Sequence, residues 1–258
     1  MRTSALRATV HATARATAPT HHLALARDVL AGLSGAHKSI PGKWLHDARG
    51  AELLRALGRV PEHYAARSER LILQNCAVQM AELAGTGAAR RPLVFIPGSR
   101  FGWLAPQEAS ALLAHVAASH GADVLLAVAT DATQDAALLL AAYDDALGVA
   151  AAFNRNLLAR LNRELGADFD IAAFRHEARV APWPRRVELH LVSEREQTVR
   201  LLGRSVHFAA GESLHTASAH QYGLLQFQSL AEHAGWAPCQ MWMDGRSSVA
   251  VHVFERSG

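Results

Sequence analysis

With 258 residues, half of them hydrophobic and 19% charged, the chain has enough surface to bury a real core in one large domain or two small ones. Its 26 basic and 23 acidic residues are interspersed and leave a formal charge of only +3, so no basic stripe marks a nucleic-acid partner. No apolar run approaches the ~20 residues of a membrane span, since the most apolar stretch, Val124 to Phe153, is broken by Asp131, Asp135, Asp144 and Asp145. Two distant cysteines, Cys76 and Cys239, exclude a disulfide framework and read as buried thiols of a cytoplasmic protein.

Residues 1–21 carry Arg2, Arg7 and Arg15, much Ala and Thr, no acid and no apolar h-region, and are expected to be a disordered leader. Apolar residues then recur at helical spacing from His22 to Leu33, and the pattern stops at Gly35. Pro41-Gly42 marks a turn, a second helix is predicted over Asp47 to Leu57, and Pro61 ends the connection. A longer helix follows from Ser68 to Leu83, with Ile72, Cys76, Met80 and Leu83 on one face. Gly85 and Gly87 come next, in a segment running to Pro92. A phosphate-binding or cofactor loop follows a strand and opens a helix. This segment does the reverse and reads as a linker.

Leu93-Val94-Phe95-Ile96 has the continuous apolar character of a strand buried on both faces, and Pro97 to Gly102 turns the chain. A helix from Pro106 to Ser119 and a second strand from Asp123 to Val128 complete one right-handed parallel unit. Ligands in such sheets bind beyond the C-terminal strand ends, which are Gly98 to Trp103 and Thr130 to Asp135. Two helices are then predicted, Asp135 to Leu147 and Ala150 to Leu165, stopped by Gly148 and Gly166. The second has a buried stripe of Phe153, Leu157, Leu158, Leu161 and Leu165. After Asp168-Phe169-Asp170 the period changes to two. Val187, Leu189, Leu191, then Val199, Leu201 and Val206 to Phe208 predict an antiparallel meander with one wet face. A helix from Leu224 to His233 and a hairpin, Gln240 to Met243 with Val249 to Phe254 around Asp244-Gly245, close the chain. The pattern is α/β: a mainly parallel layer joined to an inserted α+β module.

Several segments taken together resemble one family. The first is Lys38-Ser39-Ile40-Pro41-Gly42-Lys43-Trp44-Leu45-His46-Asp47-Ala48-Arg49-Gly50-Ala51-Glu52-Leu53, continuing through Arg59-Val60-Pro61-Glu62-His63-Tyr64 and Arg67-Ser68-Glu69. The second is Phe95-Ile96-Pro97-Gly98-Ser99 with Gly102. The most specific runs from Ala142-Tyr143-Asp144-Asp145-Ala146-Leu147-Gly148-Val149 to Phe153-Asn154-Arg155-Asn156 and Asn162-Arg163-Glu164-Leu165-Gly166-Ala167-Asp168-Phe169-Asp170. Gln197-Thr198-Val199 and Phe208-Ala209-Ala210-Gly211-Glu212 complete it. With these segments the chain resembles the histidine-specific S-adenosylmethionine (SAM)-dependent methyltransferases of ergothioneine biosynthesis, over most of its length after residue 22.

That resemblance implies a Rossmann-like methyltransferase sheet, mostly parallel with a C-terminal antiparallel hairpin. It also implies that the sheet is truncated. The family carries its first strand, glycine-rich loop, ribose-binding acid and two further strands between the helix ending near Leu83 and the strand at Leu93. Here only the linker stands there, a loss of about two βαβ units of ~30 residues each. By the same resemblance, residues 22–84 and 167–222 would form the substrate-type module, and 93–166 with 223–258 the remnant of the core. The strand 93–96 would pair with the missing first strand, so it is expected to be an exposed edge that takes a partner: a second copy, or a complete methyltransferase-like protein.

The family's site residues carry over unevenly. Its cofactor-side tyrosine is His46, a substrate tyrosine is His63, and the asparagine of the loop that begins at Gly98 is Trp103. The carboxylate and hydroxyl that recognise an imidazole are Ala217 and Ala219. Tyr143, Phe153 and Asn154 are retained. The resemblance thus implies a substrate site of Tyr143, Gly98, Phe153, Asn154 and His63, with His46 on the cofactor side. SAM is the family's cofactor, yet none is expected for the isolated chain. The resemblance also admits a small amino-acid-like ligand and, as the alternative reading, a transferase for histidine or a related amine whose cofactor site is completed by oligomerisation.

Other readings of the same residues stay open. Tyr143 sits between Leu139 and Leu147, where it serves either as a ligand contact or as a structural tyrosine. His46 and His63 are candidate bases or ordinary half-buried histidines. His215 and His220 lie five apart, off any single helical face, and no carboxylate completes a metal set with them. Asp144 and Asp145, taken as helix neighbours, should point apart. Trp103 is expected to plug a vacated pocket.

Overall fold

The computed structural model describes residues 18–87, 90–246 and 248–257; most of the predicted leader lies outside them. The helices are α1 (Ala18–Leu33), α2 (Ala48–Leu57), α3 (Tyr64–Ala84), the short α4 (Gly98–Phe101), α5 (Pro106–Ser119), α6 (Ala136–Tyr143), α7 (Val149–Leu165) and α8 (Leu224–His233). The strands are β1 (Leu93–Ile96), β2 (Leu125–Asp131), β3 (Phe174–Pro182), β4 (Arg185–Ser193), β5 (Gln197–Leu201), β6 (Arg204–Phe208), β7 (Ser213–His220), β8 (Trp236–Met243) and β9 (Val249–Arg256). They fall into two compact units. Of the described residues, one holds 65–134 and 221–257, the other 18–64 and 135–220.

The first unit is a four-stranded sheet in the order β1-β2-β9-β8. β1 and β2 are parallel, with Leu93 beside Leu125 and Ile96 beside Val128. β9 runs antiparallel to both β2 and β8. Because side chains alternate along a strand, each apolar run supplies both faces. Val94, Ile96, Leu126, Val128 and Phe254 pack with Leu113 and Val116 of α5 and Phe227 and Ala231 of α8. On the other face Leu93, Phe95, Leu125, Ala127 and Val253 pack with Met80, Leu83 and Ala84 of α3. Proline opens α5, and the Glu108 carboxylate accepts the Ala105 N–H at 2.9 Å, so that helix starts where its sequence says it should.

The second unit surrounds α7. Phe153, Leu157, Leu158, Leu161 and Leu165 are all buried, as the stripe predicts. The helix is bounded by Gly148 and Gly166, at φ 69° and 63°, a left-handed conformation that other residues adopt at a cost. Facing it is a sheet in the order β3-β4-β7, and among the described residues β5 pairs with β6 alone, in a separate ribbon.

Several boundaries differ from the sequence reading. α1 begins at Ala18, inside the predicted leader. α6 stops at Tyr143 and not Leu147, because Asp145 is drawn off to cap α7. The single expected meander is a three-stranded sheet plus a ribbon, and β3 and β7 were not foreseen. Cys239 is exposed, while Cys76 is buried. The units also divide differently: α3 belongs with the β1–β2 sheet, and α6 and α7 belong with the β3–β4–β7 sheet. The reason is packing, since the apolar stripe of α3 faces β1 and that of α7 faces β3 and β4.

Candidate functional site

In the second unit a buried hydrogen-bond chain fixes the region around Tyr143. The Asn154 side chain is fully buried on α7, and its amide donates to His176 Nδ1 at 2.9 Å and to the His190 carbonyl at 3.0 Å. Its oxygen accepts from the Thr216 hydroxyl at 2.5 Å. With Nδ1 accepting, His176 carries its proton on Nε2 and donates it to the Tyr143 carbonyl at 2.8 Å. Asn154 is therefore committed inside the protein, where it positions the end of α6. The neighbouring acids separate: Asp144 is exposed, and the buried Asp145 accepts the Val149 and Ala150 N–H groups at 2.9 and 2.6 Å.

Tyr143 is half-buried and lies edge-on to His63, ring centroids 6.1 Å apart. His46, just after the 3₁₀ turn Gly42–Leu45, has its ring 5.8 Å from the buried Phe153. Desolvation by its neighbours lowers the His46 pKa, although the side chain keeps contact with solvent. Asp47 follows and caps α2. Its carboxylate accepts from Gly50 N–H at 2.7 Å, Asn156 at 2.8 Å and Arg163 at 2.7 Å. Desolvation pushes this carboxyl up, but the hydrogen bonds outweigh it and the pKa falls. Tyr143, His63, His46 and Phe153 are thus all within the second unit.

Ala217 and Ala219 are buried on β7. Ala217 packs against Gly42, where even an added Cβ would come within 3.0 Å of its methyl group. Sequence reasoning missed the polar group beside them. His190 lies 3.2 Å from Glu188 and its ring is 5.3 Å from that of His215, which is 3.0 Å from the Ser218 hydroxyl. Desolvation lowers both histidine pKa values. No sequence motif announces this cluster, because its members come from different strands. Among the described residues no group of three or more His, Cys, Asp or Glu side chains is arranged to hold a metal ion.

Gly98 is in the first unit, at the C-terminal end of β1. The Glu69 carboxylate accepts its N–H at 2.9 Å, and burial raises the Glu69 pKa. A Cβ at Gly98 would lie 3.1 Å from that carboxylate and 3.3 Å from the Ala129 carbonyl, so the close approach here serves Glu69. Trp103, in the turn after α4, is half-buried.

A profile of the family described as "Histidine-specific methyltransferase, SAM-dependent" matches residues 25–90 and 85–256. The chain belongs to that family. The histidine N-alpha-methyltransferase of Mycolicibacterium smegmatis is 31% identical, over 90% of this chain and 95% of that protein. That of Mycobacterium tuberculosis is 30% identical, over 86% and 92%. The alignment with the former runs over 306 positions, more than the 258 residues of this family member, and the two matched pieces meet at residues 85–90. Among solved structures, the CcbJ methyltransferase of Streptomyces caelestis is 12% identical, with a TM-score of 0.36 over 68% of this chain and 62% of that one.

SAM is the cofactor of this methyltransferase family. Methyl-donor and dinucleotide cradles need a glycine loop between a strand and a helix, with N–H groups facing the ligand. The described residues do not form one. Gly85 and Gly87 follow α3, where the Gly85 N–H goes to the Glu82 carbonyl and the Arg91 N–H to the Ala84 carbonyl. The first turns of α2, α4, α5, α6 and α7 are already met by the chain's own acids: Asp47, Glu69, Glu108, Asp135 and Asp145. α8 starts at Gly223 with no side-chain cap; α7 also starts at a glycine, Gly148, but Asp145 meets its first N–H groups.

Proposed function

We propose that this chain is a repurposed member of the histidine-specific methyltransferase family, a pseudoenzyme that does not hold SAM on its own and acts by binding or assembly with a partner. The link of residues 85–92 carries this reading. It joins α3 directly to β1 at the place where the two family-matched pieces meet. Without the strand, glycine loop and helix that precede β1 in the family, the described residues offer no glycine loop between a strand and a helix to receive a sulfonium amino acid or its ribose.

The substrate side points the same way. Alanine stands at 217 and 219, and Gly42 fills the space beside Ala217. Each unmatched polar group costs a ligand about 1–3 kcal/mol, so histidine should bind weakly, and an amino-acid-like ligand of different shape is favoured. Cys239 is exposed, which suits a reducing cytoplasm. No described helix is long and apolar enough to cross a membrane.

Isothermal titration with SAM, and separately with its demethylated product, is the direct test. No micromolar binding is expected; clear binding by the isolated chain ends this reading. The retained Tyr143 region favours a second one, a transferase for histidine or a related amine whose cofactor site is completed by another chain. In that case SAM binds only at concentrations where the chain is assembled.

A further inference from the structure

We infer that His190 and His215 form an acid-sensitive latch, which holds residues 38–40 against β7 while both rings are neutral. The two histidines are register partners on β4 and β7, so their side chains share one face of the sheet, with ring centroids 5.3 Å apart. The main chain of His215 also holds the segment that precedes the 3₁₀ turn. Its N–H donates to the Lys38 carbonyl at 3.0 Å, and its carbonyl accepts the Ile40 N–H at 2.9 Å. Ile40 is buried and stands just before the turn Gly42–Leu45, which carries the chain to His46. The latch thus governs the His46 side of the candidate site, and it does so independently of SAM.

Charged and titratable groups face the pair from every strand of the sheet. On β3, Glu177 and Arg179 stand opposite His190 and Glu188, with Arg175 two residues before Glu177. On β4, Arg186 and Glu188 share the face of His190, and on β7 Ser218 and His220 stand opposite Glu188 and Arg186. Both carboxylates are already committed. Glu177 pairs with Arg175 and Arg179, and Glu188 with Arg186 and His190. A proton added to this face therefore meets the guanidiniums of Arg175, Arg179 and Arg186, and neither carboxylate is left over to offset it.

His190 is poorly placed to take up such a proton. With Nε2 donating to Glu188 at 3.2 Å, Nδ1 is buried and has no hydrogen-bond partner among the described residues. Protonation would put an N–H there with nothing to accept it. The His215 Nε2 lies 3.0 Å from the Ser218 hydroxyl, and a charge on either ring repels one on the other. Desolvation lowers both pKa values, and for His215 the nearness of His190 is the next cause. The rings part most easily at the break in β4–β7 register between Leu189 and His190, where the ladder is already interrupted. A shift of β7 there takes the His215 carbonyl away from Ile40. Lys38 stays anchored to Glu212: burial pushes that carboxyl up, but Lys38 outweighs it and the pKa falls.

Residue-resolved hydrogen exchange on the full chain tests the latch, read as protection factors so that the intrinsic pH dependence cancels. As pH falls from 6.5 to about 5, Ile40 should lose up to about tenfold in protection per pH unit for each proton the opened pair takes up. Leu158, buried in α7 of the same unit, should keep its protection. His215→Gln, which keeps a hydrogen-bonding side chain but carries no charge, should remove most of the Ile40 response. Constant protection at Ile40 overturns the inference. So does a loss that Leu158 shares, which is global unfolding, or one that His215→Gln leaves unchanged. If that variant does not fold, ring shifts by NMR in the native chain decide. His190 and His215 must then titrate together with the Ile40 loss, and rings that stay neutral through it overturn the latch.

Discussion

His252 offers a quantitative test of how the first unit is held together. It is 1% exposed at the centre of β9, opposite Val128, stacked on Phe254 and edge-on to Phe227 at 4.8 Å. Its one hydrogen bond among the described residues joins Nε2 to the Thr130 hydroxyl at 3.1 Å. Burial pushes its pKa from 6.5 down to about 4. Above pH 6.5 the ring is neutral in both folded and unfolded chains and has no effect on the balance. As pH falls from 6.5 to about 4 the unfolded chain takes up a proton that the folded chain refuses, so stability is lost across that window and levels off below it. At about 1.4 kcal/mol per tenfold separation in acidity, the loss is about 3 kcal/mol. Urea unfolding at several pH values, on the native chain and on His252→Phe, measures it. The stability gap between the two should shift toward the variant by that amount between pH 7 and pH 4. Parallel curves would refute a neutral, buried His252.

Other expectations follow from the same geometry. Gly50→Ala would set a Cβ 1.8 Å from the Leu45 carbonyl, a clash that backbone must absorb; thermal unfolding should show a loss of about 3 kcal/mol or more. Asp145→Ala removes the cap of α7 and should cost about 1–2 kcal/mol by urea titration. Asn154→Ala takes the side-chain donor from His176 Nδ1 and from the His190 carbonyl in the core, while the Thr216 hydroxyl keeps the Leu189 carbonyl. It should destabilise by about 3 kcal/mol and loosen the His176–Tyr143 contact, visible as changed histidine ring shifts by NMR.

Elements with a strong period were legible. α5 and α8 match their predicted spans, and β1 lies where four consecutive apolar residues stand. β3 was hidden because Arg175, Glu177 and Arg179 pair with one another, so the strand lacks the apolar alternation that would announce it. β7 was hidden because its Thr216 is a hydrogen-bonding core residue and not an apolar one. The α6 boundary was misplaced since Ala146 and Leu147 suit a helix, and local propensity carries no knowledge of where the Asp145 carboxylate goes. The division into units differs because the family resemblance grouped α3 with α2, whereas here side-chain packing sets α3 against the β1–β2 sheet. Tyr143, His46, His63 and Phe153 were singled out through family motifs, and all four lie in the second unit. His176 and Thr216 were not, because what makes them important is three-dimensional closure around Asn154.

The short bridge from α3 to β1 also defines a point of insertion. Both elements remain packed on the same sheet with only residues 85–92 between them, and Thr86, Gly87 and Arg90 are exposed. Lengthening such a surface connection costs only about 0.6 kcal/mol for each doubling of its length. A folded module whose own ends lie close together can therefore be spliced in at Gly87 without unseating either neighbour, making this connection a natural acceptor for an added domain.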